Sequence, residues 1–256
     1  MKVLAELQRL VAAGETCVLA TTVTAEGSTP RKAGARLVLT ASGKQIGTVG
    51  GGELEGLVLT TAHAMLTGRE RTCFLESPAC GGTVTTYLEV FAPERQVLVV
   101  GAGHVGRAVA LAALAAAFRA TVAAPSAPER LADAPEVVTL AAGGPDALVT
   151  FPQPDSCHVI VATGEHDVDV AWAVAALAGP FASVGVVGSP GKAARIRHQA
   201  ASVGVPPARV ATLRCPVGLA IGAVTPAEIA VSIVAELVML ERAGSVPVSW
   251  QIKPSE

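Results

Sequence analysis

Aromatic side chains make up only 3% of this 256-residue chain, and charged ones 16%. Single-strand nucleic-acid platforms need several stacked rings, so that mode of binding is excluded. The formal net charge is −2, too small for a global electrostatic grip on DNA, RNA or anionic lipid. The five cysteines, Cys17, Cys73, Cys80, Cys157 and Cys215, contain no C-x-x-C pair. That speaks against a structural zinc site, and an odd, scattered set speaks against a disulfide framework. Reduced thiols and a cytosolic setting are expected instead. Long apolar runs are also missing. The stretch from Ala108 to Phe118 is bracketed by Arg107 and Arg119, well short of the roughly 20 residues a bilayer demands. The opening MKVLAELQRLVAAGE reads as an amphipathic helix interrupted by Glu6 and Arg9, without the apolar core and cleavage signal of a secretory peptide. No internal repeat or low-complexity tract stands out.

Hydrophobic residues, at 51%, are enough for a sizeable core and exclude a disordered chain. After the first helix the pattern predicts strands at Thr16–Thr24, Arg36–Thr40 and Gln45–Val49. A helix is expected over Glu53–Leu66, where Leu54, Leu57, Val58, Ala62 and Met65 share a face and Gly68 closes it. Strands Arg71–Leu75 and Val84–Phe91 complete a small, antiparallel α+β module over residues 1–92. Ala92-Pro93-Glu94-Arg95 reads as a linker. Val97–Val100 then has the fully apolar character of a buried parallel strand. Further strands are expected at Thr121–Ala124, Val137–Leu140, His158–Ala162 and Ser183–Val187, alternating with helices near Val168–Leu177 and Gly191–Val203. This alternation predicts a Rossmann-like, doubly wound parallel-sheet domain over residues 96–242, so the fold class is α/β. Its last helix, Pro226–Arg242, has Thr225 as N-cap. The tail from 243 to 256 is expected to be irregular.

Gly101-Ala102-Gly103-His104-Val105-Gly106 follows an apolar strand and opens a helix. In that context the glycines permit a tight turn, and the helix start offers free N–H groups to a phosphate or pyrophosphate. The carboxylate that usually reads the ribose hydroxyls about 20 residues on is missing; Ala123-Ala124-Pro125-Ser126 stand there. Arg130 is the nearby cation that suits a 2′-phosphate.

Three further stretches join this loop: Gly27-Ser28-Thr29-Pro30-Arg31-Lys32-Ala33-Gly34-Ala35-Arg36, Gly47-Thr48-Val49-Gly50-Gly51-Gly52-Glu53-Leu54-Glu55, and Cys80-Gly81-Gly82. Near the end stands Pro216-Val217-Gly218-Leu219-Ala220-Ile221-Gly222, running on to Ala230. In this order, and over nearly the whole chain, these motifs resemble the XdhC/CoxI family of molybdenum-enzyme accessory proteins. The resemblance implies a molybdenum cofactor-binding maturation chaperone rather than an enzyme with its own turnover. It implies help with sulfuration or insertion of the cofactor into a xanthine dehydrogenase- or CO dehydrogenase-type hydroxylase. The implied partners are the apo-hydroxylase and a cysteine desulfurase; a homodimer is expected on base rates.

The residue types suit such a cargo, which carries a phosphate or, in its dinucleotide form, a pyrophosphate on a polar pterin. Ser28 and Thr29 supply hydroxyls, and Arg31, Lys32 and Arg36 supply cations. Gly50-Gly51-Gly52 before a helix is a second anion cradle. Glu55 is a carboxylate for pterin amino groups or for the helix N-terminus. Cys80, beside two glycines, is either a ligand of molybdenum, a sulfur acceptor or a small residue at a strand entry. Cys17 and Cys157 read as core, Cys73 as strand, and Cys215 as a weaker loop thiol. Gly101, Gly103, His104 and Gly106 form the second-domain cradle. His166 and Asp169, in Thr163-Gly164-Glu165-His166-Asp167-Val168-Asp169, lie where α/β ligand sites form. Lys192, Arg195 and Arg197 either contact phosphate or solvate a helix. The cargo is expected in a cleft between the domains. Ala124, Pro125 and Ala220 depart from the family's acidic positions, and Glu53 stands where some relatives carry cysteine. The rival reading is an NAD(P)-dependent oxidoreductase or a nucleotide-sensing module, and a ligand-free scaffold is the third.

Overall fold

The computed structural model describes residues 2–68 and 70–251. The chain divides between Pro93 and Glu94 into two units.

The first unit opens with α1 (Lys2–Ala12). Leu7 and Leu10 lie on its buried side, while Glu6 pairs with Arg9 and Lys44 outside. Then come β1 (Cys17–Glu26), β2 (Arg36–Thr40) and β3 (Gln45–Thr48). The helix α2 (Gly52–Thr67) and the hairpin of β4 (Thr72–Ala79) and β5 (Gly82–Phe91) follow. The antiparallel sheet runs β3-β2-β1-β5-β4. Strand alternation sends Val18, Ala20, Leu37 and Leu39 to the α2 side. Cys17, Leu19 and Val38 face Leu7 and Leu10 of α1. A helix thus covers each face, which is why β1 starts as a continuous apolar run instead of an alternating one.

β4 extends past the expected end at Leu75, through Pro78 to Ala79. Proline cannot donate to a ladder, but β4 is an edge strand and tolerates it. Ala79 pairs with Gly82, leaving Cys80 and Gly81 as a two-residue turn.

The second unit contains β6 (Gln96–Val100), α3 (His104–Ala115), β7 (Arg119–Ala123), α4 (Ala127–Arg130) and β8 (Val138–Leu140). It continues with β9 (Cys157–Val161), α5 (His166–Ala178), β10 (Ser183–Val186), α6 (Pro190–Ser202), α7 (Pro207–Ala211) and α8 (Pro226–Ala243). The strands are parallel in the order β10-β9-β6-β7-β8. Val97 and Val99 of β6 point into the core shared with α3 and α8, and Leu98 and Val100 into the core shared with α5 and α6. This is the expected α/β, Rossmann-like doubly wound sheet. Between β7 and β9, full helices are replaced by the one-turn α4 and by 3₁₀ turns at Pro145–Leu148 and Pro154–Ser156. Pro125, Pro128, Pro135, Pro145, Pro152 and Pro154 explain that, because each removes a helix donor.

Thr225 caps α8 through a capping box with Glu228. α8 buries Ile233, Val234 and Leu237 against α3 and the sheet of its own unit. In the described part of the tail Val246 is buried, Val248–Trp250 form a 3₁₀ turn, and Gln251 bridges Leu219. Its last five residues lie outside the described ones.

Candidate functional site

Three loops that are far apart in sequence meet at one end of the first unit. Pro30, Gly50, Gly51, Gly52, Glu53, Leu54, Pro78, Cys80 and Gly81 line a cavity of about 420 Å3. The glycines divide into two kinds. A Cβ on Gly50 would sit 2.7 Å from the Pro30 ring, and one on Gly82 would sit 2.1 Å from the Glu26 carbonyl oxygen. These two let the loops close on one another. Gly51, Gly52 and Gly81 have φ of 76°, 61° and 87° and nothing within 4 Å of a Cβ position. Gly81 faces open space in the β4–β5 turn, and Gly51 and Gly52 do so at the N-terminus of α2, where N–H groups lack intrahelical partners. No side chain caps that end.

Glu55 holds the triple glycine in shape. Its carboxylate accepts hydrogen bonds from Gln45 Nε2 at 2.8 Å, Val49 N at 3.1 Å, Gly51 N at 3.2 Å and the Thr48 hydroxyl. Burial pushes this carboxyl up, but the bonds from Thr48, Gln45, Gly51 and Val49 outweigh it and leave it below its ordinary value. With these four donors Glu55 positions the turn, the second of its two expected roles, a carboxylate that serves the helix N-terminus. Gln45, which lies outside the glycine motifs, and Thr48, which lies inside one but was given no role, are the partners the sequence reading missed.

Cys80 is exposed, with φ of 50°, and Gly81 follows at 87°. Positive φ at both central residues is the requirement of a type I′ turn. A non-glycine residue held there is strained by the order of 1 kcal/mol or more. Ser28 and Thr29 lie against this turn: the Ser28 carbonyl oxygen and the Thr29 methyl are the next neighbours of a Cβ on Gly82. The Thr29 hydroxyl donates to the Arg31 carbonyl at 3.1 Å. Arg31 passes its stem by Gly50, Lys32 is exposed and Arg36 is half-buried on β2. Arg31 thus lies beside the cavity, and none of the three cations is in its lining.

The other thiols are spent differently. Burial pushes Cys17 up to about 11 and Cys157 up to about 12. Cys215 is raised by burial as well, against the pull of Lys192 and Arg197. It lines another cavity, of about 480 Å3, together with Arg197, Arg214 and the buried Glu236. Among the described residues no group of three or more His, Cys, Asp or Glu is placed to hold a metal ion.

In the second unit the glycine loop splits the same way. Gly101 has φ of 111°, and a Cβ there would meet the Ala162 carbonyl at 2.5 Å. One on Gly106 would fall 1.9 Å from the Gly101 carbonyl oxygen. Both are imposed by packing. Gly103 has φ of −71° and no atom within 4 Å of a Cβ. It lines a cavity of about 400 Å3 with Gly101, Ala124, Pro125, Ser126, Arg130, Glu165 and Trp172 among others. His104 opens α3, exposed and outside that lining.

Asp169 is fully buried. Its Oδ1 accepts from Thr163 N at 3.0 Å and from the Thr163 hydroxyl at 2.6 Å, and its Oδ2 from Lys192 Nζ. Lys192 also donates to the Val187 carbonyl at 3.3 Å, folding over Gly188, where a Cβ would touch its stem. The pair ties the end of β9 to the end of β10. Asp169 and Lys192 are thus bonded to one another in this structure, and Thr163 holds the other carboxylate oxygen. Sequence cannot separate a buried charge that meets a partner from one that meets a ligand. His166 is exposed at the start of α5, and Asp167 pairs with Arg195 at the surface.

Comparisons with known proteins bear on both units. The model of the XdhC and CoxI family matches residues 10–76, and that of the XdhC Rossmann domain matches residues 97–237. Over 251 residues the chain is 30% identical to the Uncharacterized protein YqeB of Escherichia coli (strain K12), covering 93% of this chain and 45% of that one. The chain therefore spans about half the length of that relative. A crystal structure described as a xanthine dehydrogenase from Bacillus halodurans superposes with a TM-score of 0.52. The match covers 96% of this chain and 98% of that one at 21% identity, a likeness of fold.

Proposed function

The chain belongs to the XdhC and CoxI family of molybdenum-enzyme accessory proteins, and from that premise we propose that it carries the molybdenum cofactor as cargo. It assists sulfuration or insertion of that cargo into a hydroxylase of the xanthine dehydrogenase or CO dehydrogenase type. One observation carries the proposal: three separated segments converge on one open cavity, with a thiol, Cys80, at its rim.

The groups there fit the cargo. Its phosphate matches the backbone N–H groups of the first turn of α2, where Gly51 and Gly52 leave room for close approach. Arg31, whose stem passes Gly50, is the cation beside that approach, and Ser28, Thr29, Lys32 and Arg36 are proposed to add hydroxyl and cationic donors. Molybdenum is a centre that takes sulfur ligands, and Cys80 is the thiol presented to it. Glu55 keeps the backbone donors in place. The proposed partners are the apo-hydroxylase and a cysteine desulfurase, and the proposed setting is the cytosol. A homodimer is proposed from the prevalence of two-fold pairs alone.

The alternative, an NAD(P)-dependent oxidoreductase, draws on the second unit. Of the described residues lining the cavity beside Gly103, only Arg130 and Glu165 are ionisable. That is a thin set for proton transfer, so the carrier reading is favoured.

The test is extraction. The protein is purified from a host that makes the cofactor, the extract is oxidised, and pterin fluorescence is measured. Near-stoichiometric pterin is expected, with a marked loss in Cys80→Ala and in Arg31→Ala. No pterin in the unaltered protein, where a known carrier retains it, overturns the proposal.

A further inference from the structure

We infer that the cavity beside Gly103 binds a nucleotide phosphorylated on its ribose, and that Ser126 and Arg130 read that phosphate.

The cavity lies beyond the carboxyl ends of β6, β7 and β9. Chain direction diverges there: β7 and β8 lie on one side of β6, and β9 and β10 on the other. Ligands of open parallel sheets collect at this switch point. Gly103 supplies the first specific observation. It is the N-cap of α3, a place that suits glycine, and no protein atom lies within 4 Å of a Cβ there, so its backbone is open to a group that approaches from outside. The N–H donors of α3 behind it suit a phosphate.

The second observation is at the end of β7. A carboxylate at this place accepts hydrogens from ribose 2′- and 3′-hydroxyls and repels a phosphate there. This chain has Ala124 and Pro125 instead, followed by Ser126 and Arg130, and all four line the cavity. Arg130 is the only cation of the lining among the described residues, and Glu165, from the β9 end, the only anion. The turn that carries Arg130 is held in place. Arg107 on α3 donates to the Arg130 carbonyl at 3.3 Å and grips Asp133 bidentately at 2.8 and 2.7 Å. Arg130 N bonds back to the Ser126 carbonyl at 3.1 Å. The guanidinium therefore projects from an anchored base next to a hydroxyl, a donor set matched to a phosphate dianion. Pro125, Ala142 and Val168 give the apolar walls a base needs, and the volume of about 400 Å3 is within the range of nucleotide-sized sites.

This ligand is separate from the cargo of the first unit, and its test does not depend on pterin. The full chain is used with Trp250→Phe, which leaves Trp172, on the cavity lining, as the sole tryptophan. NADP+, NAD+ and CTP are titrated by calorimetry, with Trp172 fluorescence as the local reporter. NADP+ is expected to bind about tenfold or more tightly than NAD+, the scale of a charge-assisted contact. Arg130→Gln should abolish that preference while NAD+ affinity holds, and Arg130→Lys should keep part of it. Gly103→Val, which the backbone accepts, should weaken both. Equal affinities, a preference that survives Arg130→Gln, binding of neither dinucleotide, or CTP binding as tightly as NADP+ would each overturn the inference.

Discussion

Each unit carries a glycine turn at the start of a helix, and the two are built on opposite plans. At Gly50–Gly52 the backbone is forced into positive φ at three successive residues and pinned from beside the turn by Glu55. At Gly101–Gly106 two glycines are demanded by packing, one is free, and the nearby buried carboxylate, Asp169, is turned away from the loop onto Lys192. A carboxylate beside a glycine turn is thus not a ligand by default. In the first unit it shapes the cradle, and in the second it joins strand ends.

The second plan breaks most heavily at Asp169. Asp169→Ala leaves the Lys192 ammonium, only 12% exposed, without its counter-charge. Removing one member of a buried pair costs about 3–5 kcal/mol. Urea denaturation should therefore find the second unit strongly destabilised. Lys192→Met in the same chain should recover much of the loss, because the pair itself adds little net stability over an apolar replacement. A double variant no better than Asp169→Ala would mean that the bonds to Thr163, rather than the charge, carry the effect.

The glycines sharpen the contrast at smaller cost. Gly106→Ala puts a methyl 1.9 Å from a carbonyl oxygen, so α3 must shift from the sheet. Overpacking of this kind costs about 1–3 kcal/mol and outweighs the gain in helix propensity. Gly103→Ala should cost less, about 0.5–1 kcal/mol, the scale of exchanging glycine for alanine at an N-cap. Thermal unfolding of both variants side by side reads the difference. Equal losses would remove the contrast between a glycine set by packing and one whose backbone is open.

Glu55 gives the first unit its pH dependence. Its folded-state carboxyl is held below the ordinary value. The unfolded chain therefore takes up the proton first as pH falls. The stabilisation is complete above the ordinary carboxylate range, about 4.3, and is lost as pH falls through the lower folded value. At neutral pH, Glu55→Gln should cost about 1–2 kcal/mol, the scale of hydrogen bonds to a charged acceptor. Melting curves of parent and variant should converge on acidification. A gap that stays constant with pH would mean that packing, not charge, is what Glu55 contributes.

Much of this architecture was legible in the sequence. Val97–Val100 reads as a buried parallel strand because all its positions are apolar, and Thr225-Pro226 marks a helix start by its capping chemistry. Elements that follow a local rule can be read locally. β4 could not be read beyond Leu75, because Pro78 is a breaker except on an edge, and edges are a property of the whole sheet. The three loops around Cys80 were legible as motifs, but their convergence depends on β5 pairing with both β1 and β4. The engagement of Asp169 with Lys192, 23 residues apart, and of Glu55 with Gln45 and Thr48 likewise rests on tertiary placement that no spacing rule encodes.

The smallest expected effect bears most directly on the proposed site. A type I′ turn is best served by Asn-Gly, since asparagine tolerates positive φ where cysteine does not. The chain places Cys80-Gly81 there instead. Cys80→Asn should accordingly raise the stability of the first unit by about 0.5–1 kcal/mol, by relieving strain of the kind that collects at functional positions. It should also lower pterin retention, because the thiol is gone while the turn is intact. This separates the two roles that Cys80→Ala confounds, since alanine removes sulfur and retains the backbone penalty. A gain in stability with loss of pterin means that the thiol is kept at the cavity rim against the preference of its own turn. A gain with pterin retained would move the cargo's contacts to the glycines and to Arg31. A loss of stability would make Cys80 a packing residue, and the comparison of the two turns would then rest on Gly103 and Glu55 alone.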